Sequence, residues 1–252
     1  MNRTGRSAAA LLVVSLLTPV AAQEFSTRSP TPADWAAMAQ LPDLNGVWEI
    51  TFGGGAGRGR GAGPSFTPPY EARRAAAARG PAPEDNTTAN CLPPGMPGIM
   101  GQPYPMEFLL TPGKVTIVIE AYTQVRHIYT DGRPLPREPD PKFFGTSIGR
   151  WDGRTLVAET VGFSDHVQVA RGVPHSAEMK ITERFTLTDP DTLTIETTIT
   201  DPPVLAVPYV TRSTLKRHRN WTISEYICEE NNRNSVDDNG KAGIDLTPPG
   251  KE

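Results

Sequence analysis

The chain has 252 residues, with 25 Lys plus Arg against 28 Asp plus Glu and a formal net charge of −3. No clustered basic surface is available to a polyanion, so the reading excludes a nucleic-acid partner. Gly and Pro number 23 and 26, which argues against a mainly helical protein and for many turns and long loops.

Residues 1–22 read as a secretory signal peptide outside the fold. Arg3 and Arg6 supply a positive start, residues 8–17 an apolar run, and Val20-Ala21-Ala22 a small-residue cleavage site before Gln23. The run falls short of the ~20 residues that span a bilayer, so no membrane insertion is expected and the mature protein should be periplasmic or secreted. In that oxidising setting the two cysteines, Cys91 and Cys228, favour a disulfide over two free thiols.

An N-terminal segment, 23–43, should carry a short helix over 33–40 with Thr31 as N-cap and Pro32 at the first helical position. A first strand covers 44–52. Residues 53–103 form a Gly/Pro-rich insertion, in which 70–79 could be a surface helix and 84–105 a lid-like segment. Gly57-Arg-Gly-Arg-Gly-Ala62 nominally matches a dinucleotide fingerprint, but no strand-to-helix context follows, so no cofactor is expected.

Residues 103–162 alternate apolar, β-branched runs with turn dipeptides. Strands over 106–110, 115–122 running on into 124–129, 146–151 and 156–161 are punctuated by Pro112-Gly113, Asp131-Gly132 and Asp152-Gly153, the last two being hairpin signals. Further strands over 178–187, 192–200, 207–216 and 221–228 bring the count to about ten. The regular spacing predicts one all-β domain over 44–230: an antiparallel up-and-down barrel of eight to ten strands, followed by a disordered tail over 231–252.

Strand alternation picks out carboxylates in apolar rows. Glu183 shares a face with Met179, Ile181, Phe185 and Leu187, and Glu225 with Trp221, Ile223 and Ile227; Glu159 repeats the pattern more weakly. A buried carboxylate either pairs with a cation or has a raised pKa suited to acid–base work. Arg126, Arg150, Arg184 and Arg212 are the candidate partners, and a purely structural Glu–Arg network is the alternative. His127 and Tyr129 share a face, with Asp131 and Arg133 at the turn beyond, so an imidazole and a phenol could act together in proton transfer. Asp165, His166 and His175 lie on a loop that could swing over the barrel mouth, and Trp151 is a candidate ligand contact. Four histidines without ligand spacing argue against a metal site.

The run Pro103-Tyr-Pro-Met-Glu-Phe108, the segment Val125-Arg-His-Ile-Tyr-Thr-Asp-Gly-Arg133, Ser147-Ile-Gly-Arg-Trp-Asp-Gly153, Glu159-Thr-Val-Gly-Phe163 and Tyr226-Ile-Cys-Glu-Glu-Asn-Asn-Arg233 together resemble a family of exported bacterial proteins of uncharacterised function. That resemblance spans residues 44–233 and implies no particular chemistry. The short helix followed by Gly46-Val-Trp48 is similar to the opening of lipocalins and other calycin barrels, where the Trp closes the barrel floor.

Two functions follow as expectations. One is a cofactor-independent lyase or isomerase acting on a small hydrophobic or aromatic molecule in the barrel. There His127 or Glu183 would be the base, with Tyr129 and Arg126 holding negative charge and Asp131, Arg133, His175, Glu225 and Trp151 contacting the substrate. The other is a non-catalytic carrier of such a ligand. A third, an interaction module built on 84–105, leaves the inward carboxylates unexplained.

Overall fold

The computed structural model describes residues 29–51, 63–77, 91–170, 172–228, 234–236 and 242–244. The stretch read as a signal peptide, most of the Gly/Arg tract, the start of the 84–105 segment and most of the tail lie outside them. The described part is a closed barrel of nine strands, mostly antiparallel, with two short helices.

Helix α1 (Pro32–Met38) starts where local chemistry demands it. The Asp34 amide donates to Thr31 Oγ1 (3.3 Å) while the Thr31 amide donates to Asp34 Oδ2 (2.7 Å), a reciprocal capping box with Pro32 at N1. The strands are β1 (Gly46–Ile50), β2 (Met106–Thr111), β3 (Lys114–Ile119), β4 (Gln124–Tyr129), β5 (Thr146–Asp152), β6 (Thr155–Val161), β7 (Gln168–Ala170), β8 (Val173–Pro174), β9 (Lys180–Asp189), β10 (Thr192–Thr200) and β11 (Tyr209–His218). Helix α2 (Pro68–Ala77) follows β1. Around the barrel the order is β1-β11-β10-β9-β6-β5-β4-β3-β2, with β7 and β8 forming a separate two-stranded piece.

The hairpins at 111–114, 152–155 and 189–192 form as the turn residues require. The expected hairpin at Asp131-Gly132 does not: β4 pairs with β5 in parallel, only at Ile128↔Ser147 and Tyr129↔Ile148, after a connection over 130–145. Closure explains this. Strand direction must reverse an even number of times around a ring, so nine junctions include at least one parallel one. Parallel neighbours need a long crossover, and the proline-rich stretch 134–141 supplies it.

The predicted strand over 221–228 is also absent. With β11 already paired to β1, no ladder remains for it. The segment instead runs as a strap: the Ser224 amide donates to Glu120 (3.0 Å), Thr123 Oγ1 donates to the Tyr226 carbonyl (2.8 Å), and the Cys91–Cys228 disulfide fastens its end. Beyond it, β12 (Asn234–Val236) and β13 (Ala242–Ile244) pair as a short hairpin where the sequence suggested an unstructured tail.

Inward side chains fill the lumen. Trp48 is fully buried and donates from Nε1 to the Leu44 carbonyl (2.9 Å), with the Arg217 guanidinium 4.5 Å over its ring at the barrel floor. Phe108 and Phe185 meet edge to face at 6.1 Å. At the other end, residues 95–101 enter as a plug, with Met96 and Ile99 fully buried. Gly95 permits this: at φ +65°, a Cβ would lie 2.5 Å from Val167 Cγ2 and 2.6 Å from the Phe143 carbonyl oxygen. The outer wall is charged, with Arg150–Glu159 (3.3 Å), Lys180–Glu159 (2.5 Å) and Arg184–Asp152 (3.0 Å) pairs across neighbouring strands. Among the described residues no helix is long and apolar enough to cross a membrane.

Candidate functional site

Strand β9 carries Ile181, Glu183 and Phe185 on its inner face, all fully buried, as alternation predicts. The cation that meets Glu183 is Arg126, on the inner face of β4 and 1% exposed. Arg126 Nη1 donates to Glu183 Oε1 (3.1 Å) and Nη2 to Oε2, so both carboxylate oxygens are held. Nη2 also reaches Thr160 Oγ1 (3.2 Å) and Ser147 Oγ (3.4 Å), and those two hydroxyls lie 2.8 Å apart. Arg126 therefore bridges from β4 to β5, β6 and β9, across the junction where the backbone ladder is shortest. Its Nε is buried without a partner. The other three candidate cations lie on the outside: Arg150 pairs with Glu159, Arg184 with Asp152 and Arg212 with Glu196.

His127 and Tyr129 alternate with Arg126 and so face outward, on the opposite side of the wall from Glu183. The three residues expected to share one cavity mouth are thus divided between two surfaces. Outside, His127 Nδ1 lies 3.3 Å from Thr116 Oγ1, and its pKa is lowered, first by desolvation and then by the Lys114 charge. Arg133 stacks 3.8 Å over the Tyr129 ring and donates from Nε to both oxygens of Asp131 (2.9 and 3.0 Å). That hydrogen bonding holds the Asp131 carboxyl below its ordinary value and raises the Arg133 guanidinium.

His175 does not swing over a mouth. Its Nδ1 lies 2.7 Å from the Ser176 carbonyl and its Nε2 2.8 Å from the Ser164 carbonyl, which clamps the ring between two backbone segments. The next residue is tied down by a side chain the sequence reading missed. Asp201, 1% exposed, accepts from the Ser176 amide (2.7 Å) and Ser176 Oγ (2.5 Å). Asp201-Pro202-Pro203 directly after β10 was the available signal, since a strand ending in Asp before a turn often caps that turn. Here the Asp201 carbonyl accepts from the Val204 and Leu205 amides. Glu225, expected to point inward, is exposed on the strap.

Trp151 does contribute to a concavity. At the floor end, between α1 and the β2–β3 turn, an open cleft of about 240 Å³ is lined by Met38, Leu41, Leu110, Val115, Thr130 and Trp151. Its walls are mostly apolar, and the Leu110 amide is fixed by Asn45 Oδ1 (2.8 Å). Sequence reasoning placed Trp151 but not its neighbours, because the cleft joins elements distant in the chain. Among the described residues no group of three or more His, Cys, Asp or Glu side chains is placed to hold a metal. No family model matches the chain, and no curated protein matches it.

Proposed function

We propose that the protein is an exported carrier of a small hydrophobic or aromatic molecule, built on a lipocalin-like barrel. The observation supporting this is the cleft under α1, whose apolar lining includes one large aromatic face, Trp151. Its volume exceeds the roughly 150 Å³ of an engineered cavity that binds benzene and falls below the ~300 Å³ at which drug-sized pockets begin. A single substituted aromatic ring is the class of ligand that fits. Export rests on the reading of residues 1–22, and the Cys91–Cys228 disulfide is compatible with it.

The acid–base alternative has less support from the geometry. It would need His127 or Glu183 beside a bound substrate, whereas Glu183 is fully paired and His127 faces away from it. Titration with indole, followed by amide chemical shifts, tests the carrier reading. Shifts should cluster on α1, the 111–114 turn and Trp151, and Leu41→Trp, which fills the cleft, should abolish them. Equal shifts in the filled variant would sink the proposal, and turnover in a substrate screen that is lost in Glu183→Gln would restore the enzyme.

A further inference from the structure

His175 is held in a way that only one of its protonation states satisfies. Its Nδ1 lies 2.7 Å from the Ser176 carbonyl and its Nε2 2.8 Å from the Ser164 carbonyl. A carbonyl oxygen only accepts, and a neutral imidazole carries a single N–H. A neutral ring would therefore set one nitrogen lone pair against an oxygen at hydrogen-bond distance, whereas the imidazolium donates from both nitrogens. The ring is half-buried, meeting Phe163 edge to face at 6.1 Å, and solvent can exchange its proton.

A second observation supports the cation. Asp201 is 1% exposed, and among the described residues no Lys or Arg side chain pairs with it; its carboxylate accepts from the Ser176 amide and hydroxyl. Ser176 thus stands between a buried carboxylate and the His175 ring, donating to the first and accepting from the second. A buried charge needs compensation, and an imidazolium one residue away is placed to supply it. The other charged or titratable side chains described on the segments that meet here are Lys142, Asp165, His166 and Glu178, and all four are exposed.

The two bonds matter because of what they close. Ser164 precedes β7 and His175 directly follows β8, so the ring ties together the two ends of that hairpin. Val167, Val169 and Val173 of the same stretch are buried, and Val167 lies against Gly95 of the plug. The Ser164 carbonyl also accepts from the Val167 amide (2.9 Å) and the Ser176 carbonyl from the Met179 amide (3.2 Å), which makes those amides direct reporters of the clamp.

We propose that His175 is a pH-sensitive latch. As an imidazolium it holds the β7–β8 hairpin down against the plug; on losing a proton it releases one carbonyl, and the hairpin loosens. The direction follows from the geometry: closed at low pH, loosened at high pH. The latch is independent of the floor cleft, and either can fail without the other.

The experiment is hydrogen exchange of the full chain, disulfide intact, from about pH 5 to about pH 9, with rates corrected for intrinsic base catalysis, beside 15N spectra of the ring. Both ring nitrogens should carry protons at the acid end and only one at the alkaline end. Over the same interval the Val167 amide and those of β7 and β8 should lose about 10- to 100-fold in protection, the effect of losing one charge-assisted hydrogen bond, while β10 amides keep theirs. His175→Gln should abolish this pH dependence, His166→Asn should preserve it, and Asp201→Asn should move the changeover to lower pH. A ring that holds the same number of protons across the whole range, or protection that does not follow the ring's titration, would overturn the proposal. So would a dependence that survives in His175→Gln or disappears in His166→Asn. The ring spectra and the exchange are both read on the wild-type chain, so a variant that fails to fold leaves the deciding measurements in place.

Discussion

Replacing Arg126 with Met or Glu183 with Leu leaves the remaining partner without its counter-ion in a dry interior. Arg126 is 1% and Glu183 0% exposed, so no solvent relieves the survivor. Breaking such a buried pair costs about 3–5 kcal/mol, whereas replacing both members with apolar residues of similar size is often neutral or stabilising. In the double variant Ser147 and Thr160 still bond each other at 2.8 Å, leaving one hydroxyl hydrogen without an acceptor at a cost of about 1–3 kcal/mol. The two single substitutions together should thus cost about 6–10 kcal/mol, while the double variant lies within about 3 kcal/mol of wild type. Guanidinium denaturation with the disulfide intact, read by tryptophan fluorescence, measures all four corners of the cycle. Single variants costing under about 1 kcal/mol, or a double variant as unstable as the summed singles, would refute the account of Arg126 as a desolvated clamp.

The Cys91–Cys228 bridge closes a sequence separation of 137, for which chain entropy allows up to about 5 kcal/mol. Cys91→Ala with Cys228→Ala should lower the denaturation midpoint and speed proteolysis of the 221–228 strap, and an unchanged midpoint would assign the strap's stability to its hydrogen bonds. His127 has a lowered folded-state pKa, from desolvation and then Lys114. As pH falls through the ordinary imidazole value of ~6.5 the unfolded chain takes up its proton first, so His127 subtracts stability until the lower folded value is passed. Imidazole NMR should show a midpoint below that of free histidine, moving upward in Lys114→Gln; a midpoint at or above the ordinary value contradicts the placement.

What was legible in the sequence is what local chemistry decides. Thr31, Pro32 and Asp34 specify their helix within four residues, and alternation along β9 puts Glu183 among Ile181 and Phe185 because the sheet has only two faces. The partner of Glu183 was one of four arginines, and pairing it with Arg126 needed the tertiary fold, since β4 and β9 are separated by two strands. The same alternation that buries Arg126 must expose His127 and Tyr129, so the catalytic grouping read from adjacency in the chain combined two faces of one wall. Asp131-Gly132 carries a sound hairpin signal, overridden by a closure requirement that no dipeptide can encode. In the strap, Trp221, Ile223 and Ile227 alternate like a strand, but a ring with both neighbours of β11 taken has nowhere to add one; Trp221 and Ile227 stay nearly half exposed.

The odd strand number has an evolutionary corollary. Adding or removing a hairpin changes the strand number by two and never alters whether the total is odd or even. Every descendant formed that way keeps at least one same-direction junction somewhere in its wall. It can migrate to another pair of neighbours, together with the long loop that serves it, but only the gain or loss of a single strand could erase it.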